Sequence, residues 1–278
     1  MPKPATIGTR GASNIQQGRR APAIAGDSRR SPRKTQSRGN TMRGIILLIS
    51  LSATLAHAAW SDFVEARELR LDADGLETLE IDTGAGELSV LGVSDLTEVL
   101  VTAMITVPGR SDDQARQLIE EQLVLTLERD GDRAVLNSYF DDRGFSWRES
   151  PGVSLEVRIP GRMGLDVDDG SGSMDIREVL GDVSIDDGSG SITMQRVGGE
   201  VRIDDGSGSL TVNEVGGNLS IVDGSGRIEV RRVAGSVYIN DGSGGIDVDG
   251  VEQDLIVEES GSGGLRLANV RGQVRTDE

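Results

Sequence analysis

Asp-Gly-Ser-Gly begins at residues 169, 187, 205, 223 and 241, each copy eighteen residues after the last. Nothing else in the chain restricts its fold so tightly. Between the copies, apolar residues recur at the same offsets. Ile192, Met194, Val197, Val201 and Ile203 are answered by Leu210, Val212, Val215, Leu219 and Ile221, then by Ile228, Val230, Val233, Val237 and Ile239. A fixed period of this kind marks a solenoid, in which one turn cannot bury its own apolar face and must stack on the next. Pairs two residues apart, such as Ile192/Met194 and Val201/Ile203, turn alternate side chains inward along short strands. Two corners separate the pairs, one around Gly198-Gly199 and one at the DDGSGS run. The expected fold is all-β, a single-stranded parallel β-solenoid (β-helix) with 18-residue rungs over 161–278. Its sixth rung follows a one-residue shift, since Leu265, Leu267, Val270 and Val274 stand nineteen residues after Ile246, Val248, Val251 and Leu255.

Positions that should face water give an independent check on stacking. Glu178, Arg196, Glu214 and Arg232 fall in one column of this alignment and alternate in sign. Parallel, in-register rungs would set them about 4.8 Å apart, where opposite charges stabilise by some tenths of a kcal/mol.

Residues 59–160 are less regular and are expected to cap the solenoid. Alternating stretches around Gly84-Ala85-Gly86 and in "LTEVLVTAMITVPG" read as strands, and "VSLEVRIP" as a strand closed by Pro160. One helix is expected after Ser111, which with Gln114 matches a capping box, while Ala115, Leu118, Ile119 and Leu123 share one helical face. "LVLTLERDGDRAVLNSYF" reads as a hairpin turning at Asp130-Gly131, followed by a loop. Trp60 and Trp147, outside the repeats, are expected to help close the end.

The start of the chain is of a different kind. Residues 1–58 hold ten of the 29 basic residues and a single acid, Asp27, leaving 19 basic against 45 acidic residues for 59–278. Met42-Arg43 precedes the apolar run "GIILLISLSATL", and Ala56-His57-Ala58 supplies small residues where a signal peptidase reads. The stretch 42–58 is therefore expected to be a secretory signal peptide, being shorter than the roughly 20 residues a membrane span needs. Residues 1–41 form a basic low-complexity extension, consistent with a translation start at Met42. Loss of the signal removes His57, the only histidine, and both lysines lie upstream of it; the chain has no cysteine. The exported part, expected to carry no transmembrane span, then lacks Ser-His-Asp and Cys-His catalysis, lysine Schiff bases and His- or Cys-ligated zinc. Its acidity argues against nucleic acid as a partner.

Two readings compete for the repeated acids. Asp169, Asp187, Asp205, Asp223 and Asp241 form one column, ending at Glu259. Asp168, Asp186 and Asp204 begin a second that continues as Val222, Asn240 and Glu258. Like charges at 4.8 Å repel by about 1 kcal/mol in water and roughly 3 to 4 at an effective dielectric near 20, so something must offset them. A calcium ladder would use both columns, with Asp168, Asp169, Asp186, Asp187, Asp204 and Asp205 as ligands. In the other reading each first-column Asp accepts from backbone N–H groups of its own Gly-Ser-Gly turn, whose glycines supply positive φ. A turn needs its capping residue in every rung, and only the first column has one, so turn capping is favoured and no cofactor is expected.

The "LEVRIP" strand ending at Pro160, the following "LDVDDGSGSMDI" and the recurring V-x-I-x-D-G-S-G rungs resemble the bacterial putative-adhesin β-solenoid family. This is a domain of unknown function related to auto-transporter adhesin head domains. The resemblance spans roughly residues 75 to 275 and implies the fold, with an adhesin-like role at the envelope. The functional expectation is an exported, non-enzymatic module in the periplasm, at the cell surface or secreted, meeting an unidentified envelope, glycan or protein ligand. Val222, Tyr238 and Ile256 are candidate contact residues on the outer face. The alternatives are a calcium-stabilised solenoid, a carboxylate-dependent polysaccharide-processing enzyme, for which uniform rungs offer no evident cleft, and a structural protein that self-associates through its solenoid ends.

Overall fold

The computed structural model describes residues 62–141, 150–260 and 262–277. The extension, the signal segment, Trp60 and Trp147 lie outside these residues. In chain order the elements before the repeats are β1 (Phe63–Asp72), β2 (Thr78–Ala85), β3 (Leu88–Val93), β4 (Glu98–Val107), α1 (Asp112–Gln122), β5 (Leu123–Asp130), β6 (Arg133–Phe140) and β7 (Gly152–Pro160). The long strand β8 (Gly164–Arg177) opens the repeats. Rungs follow as β9 (Val183–Asp187) with β10 (Gly190–Val197), then β11 (Val201–Asp205) with β12 (Gly208–Val215). Next come β13 (Leu219–Asp223) with β14 (Gly226–Val233), and β15 (Val237–Asp241) with β16 (Gly244–Val251). The last are β17 (Leu255–Ser260) with β18 (Leu265–Val270), and β19 (Val274–Thr276).

Each rung runs along one sheet, turns at the Asp-Gly-Ser-Gly corner and returns along the other. The short strands β9, β11, β13, β15 and β17 stack in parallel on one side, and β10, β12, β14, β16 and β18 on the other. Register is the sequence alignment itself, with Ile192 opposite Leu210 and Val201 opposite Leu219. The apolar columns meet between the sheets, where Ile192, Met194, Val201, Ile203, Leu210 and Val212 are fully buried. Burying such side chains contributes roughly 1.5–3 kcal/mol each, and only stacked neighbours make that burial complete.

The stack begins earlier than the period does. Strand β2 pairs in parallel with the first half of β8 and β3 with its second half, so β2 and β3 form a rung around Gly84-Ala85-Gly86. On their other side lie β6 and β7, again in parallel. The rung laid down first in the chain is thus sandwiched between two later ones. Beyond β6 and β7 the pairing turns antiparallel, with β4 on β7, β1 on β4 and β5 on β6. Helix α1 lies at this end with Ala115, Leu118 and Ile119 buried, and the expected capping box is formed between Ser111 and Gln114. Leu123 is the C-cap and starts β5. The hairpin turns as expected, with Gly131 at φ 64° between β5 and β6.

The shift from eighteen to nineteen residues has a local cause. Register slips between Ile239 and Asn240, so that Asn240 pairs with Glu259 and Asp241 with Ser260. Glu258 is the extra residue of a bulge. This corrects the expected columns: Ser260, not Glu259, continues the buried aspartates, and Glu259 belongs to the outer column.

Candidate functional site: the aspartate corner

Asp is the last residue of β9, β11, β13 and β15, and it points inward with the two apolar residues before it, as in the pattern buried, exposed, buried, exposed, buried of β9 and β11. Asp169, Asp187, Asp205, Asp223 and Asp241 are only 3, 2, 1, 2 and 0% exposed. The capping role holds for four of them. One oxygen of Asp187, Asp205, Asp223 and Asp241 accepts from the N–H of the serine two residues on, at 3.1, 3.1, 3.1 and 3.0 Å. This is the Asx-turn that lets a short acid shape a tight corner.

The second oxygen is a different matter. Oδ2 of Asp187, Asp205, Asp223 and Asp241, and both oxygens of Asp169, are buried without a hydrogen-bond partner among the described residues. The Ser171 and Gly170 N–H groups lie near enough to Asp169 to favour its charge, but reach no hydrogen-bond geometry. Burial therefore dominates. It pushes Asp169 up to about 7 and Asp205 and Asp223 to about 6, with stacked carboxylates adding to the shift. Asp187 and Asp241 are raised too, first by burial, against the opposing serine N–H. Thr83 of β2 and Ser138 of β6 extend the column toward the N-terminal end, opposite Asp169 and each other.

The outer acids occupy the other face of the same strands. Asp82, Asp168, Asp186 and Asp204 stand opposite one another in successive rungs before Val222 interrupts them. Successive residues of a strand face opposite sides, so Asp168 and Asp169, Asp186 and Asp187, and Asp204 and Asp205 do not converge on one ion. Among the described residues no three acids come together as a metal site. The paired-column calcium ladder does not fit this geometry. Partial burial, then like-charge neighbours, raise Asp82, Asp168 and Asp204.

Glycine is required at these corners by more than backbone angle. The second glycine has φ of 147°, 153°, 155° and 157° at Gly172, Gly190, Gly226 and Gly244. A Cβ on Gly208 would sit 1.5 Å from the carbonyl oxygen of Gly190 in the rung before, and one on Gly206 2.5 Å from that of Gly188. Rungs touch backbone to backbone here, leaving no space for a side chain.

At the other corner the alternating charges occupy an unexpected conformation. Glu178, Arg196, Glu214 and Arg232 have φ of 59°, 57°, 63° and 56°, with Gly250 and Asn269 in the same column. Each non-glycine residue held there costs about 1–2 kcal/mol. Contacts form in pairs: Arg196 donates to Glu178, and Arg232 bridges Glu214 at 2.8 Å. A second ladder runs beside them. Asp182 Oδ1 accepts from Glu200 N–H, Asn218 Oδ1 from Ser236 N–H and Asp254 Oδ1 from Gln273 N–H, at 2.8, 2.9 and 2.8 Å. Both ladders repeat every second rung. A groove of about 500 Å³ follows this corner over Gly198, Gly216 and Ala234, with Leu180, 59% exposed, at one end.

The candidate contact residues are only partly gathered. Tyr238 and Ile256 are neighbours in adjacent strands, and the Tyr238 hydroxyl donates to Glu258 at 2.7 Å. Val222, 41% exposed, lies within β13 in the adjoining outward column, opposite Asn240. The strand runs one residue beyond it, to Asp223, before the corner starts.

No known family profile and no curated protein matches the chain. Among solved structures it is similar to a putative adhesin from Bacteroides fragilis, at 14% identity and a TM-score of 0.38, over 78% of this chain and 99% of that one. A putative adhesin from Parabacteroides distasonis matches at 12% identity and 0.40, over 78% and 98%. A putative lipid binding protein from the same organism matches at 15% and 0.40, over 77% and 97%.

Proposed function

We propose that the chain is an exported, non-enzymatic interaction module of the cell envelope, offering the outward faces of its stacked sheets to a glycan or protein ligand. The observation that carries this reading is the backbone-tight stacking of the corners, where a Cβ on Gly190, Gly208 or Gly226 would fall within 1.6 Å of the preceding rung. Such corners admit no inserted loops, so outward residues form straight ladders, the surface on which solenoids engage extended partners. The apolar run after Met42 supports export, and no helix among the described residues is long and apolar enough to cross a membrane. Acidic ladders such as Asp82, Asp168, Asp186 and Asp204 disfavour nucleic acid.

The test is binding of the purified protein to a glycan panel and to envelope fractions. Saturable binding weakened several-fold by Tyr238→Ala together with Ile256→Ser is expected. Turnover of a polysaccharide on the same panel would overturn the reading in favour of an enzyme. Sequencing the N-terminus of the exported protein is expected to give a first residue near Ala59.

A further inference from the structure

We infer that the buried aspartate column is a proton-binding spine: its unpaired oxygens hold protons shared between rungs, and the solenoid is firmest when the column is loaded. Five carboxyl groups occupy matching positions in successive parallel strands, Asp169 opposite Asp187, Asp187 opposite Asp205, Asp205 opposite Asp223 and Asp223 opposite Asp241. All are at least 97% buried, and each keeps at least one oxygen with no partner among the described residues.

The surroundings cannot neutralise them as anions. Across the interior, the other sheet presents Met174, Ile192, Leu210, Ile228 and Ile246, all apolar and buried. Thr83 and Ser138 continue the column at one end and Ser260 at the other, and none of these carries charge. Among the described residues the charged groups acting on Asp169, Asp187, Asp205 and Asp223 are acidic, namely column members and Asp168, Asp186 and Asp204 on the outer face, while Asp241 is raised by burial. A column of carboxylates contains only acceptors. Each bound proton converts one acceptor into a donor aimed at a neighbouring rung and removes a buried charge. The serine N–H bonds need only the first oxygen, so loading leaves the corners intact.

The sign follows from linkage. The folded-state values are raised above the ordinary aspartate range near 4, so the folded state binds more protons than the unfolded one in between. Stability from the column is fully present below that range and is lost as pH rises through the folded values, about 6 at Asp205 and Asp223 and about 7 at Asp169.

The experiment is urea unfolding of the full chain, followed by far-UV circular dichroism, at pH steps between about 4 and about 7. The midpoint is expected to fall steadily across this window, and folding near the middle of it to take up protons. Asp205→Asn with Asp223→Asn supplies the amide donor permanently and should flatten the fall, while Asp247→Asn on the outer face of the other sheet should keep the wild-type slope. A midpoint that is flat or rises with pH overturns the proposal, as does a double variant with an unchanged slope. Should the double variant fail to fold, carboxyl carbon-13 titration of the wild type decides. Column signals titrating near 6 to 7 support the spine, and signals titrating in the ordinary range near 4 sink it.

Discussion

At the scale of single residues, two glycines of similar appearance have opposite duties. Gly208 meets the carbonyl of Gly190 so closely that a Cβ would lie 1.5 Å away, whereas Gly264 has nothing within 4 Å. Gly208→Ala must push two rungs apart and is expected to destabilise by about 3 kcal/mol. Gly264→Ala should stay within about 0.5 kcal/mol of wild type. Urea midpoints of the two variants, measured side by side, check the contrast. The requirement at Gly208 was legible as a repeated glycine, but its cause was not. A repeated glycine in a sequence signals positive φ, and only the stacked backbone reveals the contact between rungs. Likewise Arg196 reads as a surface charge, while its left-handed backbone is visible only in the folded corner.

Single elements divide into those stabilised locally and those stabilised by neighbours. Helix α1 belongs to the first kind, with Ser111 accepting from the Gln114 N–H and Gln114 returning the bond. Ser111→Ala is expected to cost about 1 kcal/mol, read as a lower thermal midpoint, with Ser111→Asp restoring most of it. The rungs belong to the second kind. Arg196→Glu would place acids at 178, 196 and 214 in adjacent rungs, in place of an ion pair. The expected result is a lower unfolding midpoint at low ionic strength that recovers as salt is added. Unfolding midpoints at two salt concentrations separate this from a packing defect, which salt would not relieve. The helix, the hairpin and the rungs from β8 onward were readable because each carries a local signal or a period. The rung made by β2 and β3 was not. "IDTGAGELSV" does match "VDDGSGSMDI" position for position in space, but the intervening β4, α1 and β5 break the interval that makes a repeat visible. Pairing of β6 and β7 with that rung was hidden because no Asp-Gly-Ser-Gly stands between them in the sequence.

Over the repeats the structural unit is two rungs, since the Asp182, Asn218 and Asp254 caps recur every second turn, as do the charge pairs 178/196 and 214/232. Duplicating residues 201–236 in tandem keeps every neighbour in kind. Duplicating 201–218 alone stacks one copy of Glu214 on the other and misplaces the caps. The two-rung insertion is expected to show the higher urea midpoint and a single transition with a steeper denaturant dependence, as more surface is exposed on unfolding. Equal midpoints for the two insertions would contradict the two-rung unit. The function of the outer faces was less legible than the fold. Inward positions repeat because packing demands it, whereas outward positions such as Ser184, Arg202, Ser220, Tyr238 and Ile256 vary from rung to rung without a pattern to read.

The sandwiched rung gives assembly a direction. Once β6 and β7 have covered one side of β2 and β3, and antiparallel β4 and β5 have followed on that side, the other side of β2 and β3 is open to template a parallel rung. Strand β8 takes it, and each later turn finds its partner already in place, eighteen residues behind or nineteen at the last. The entropic toll of loop closure is then the same small step every time. A chain emerging N-terminus first can therefore wind up in the order in which it appears, each turn serving as the mould for the next.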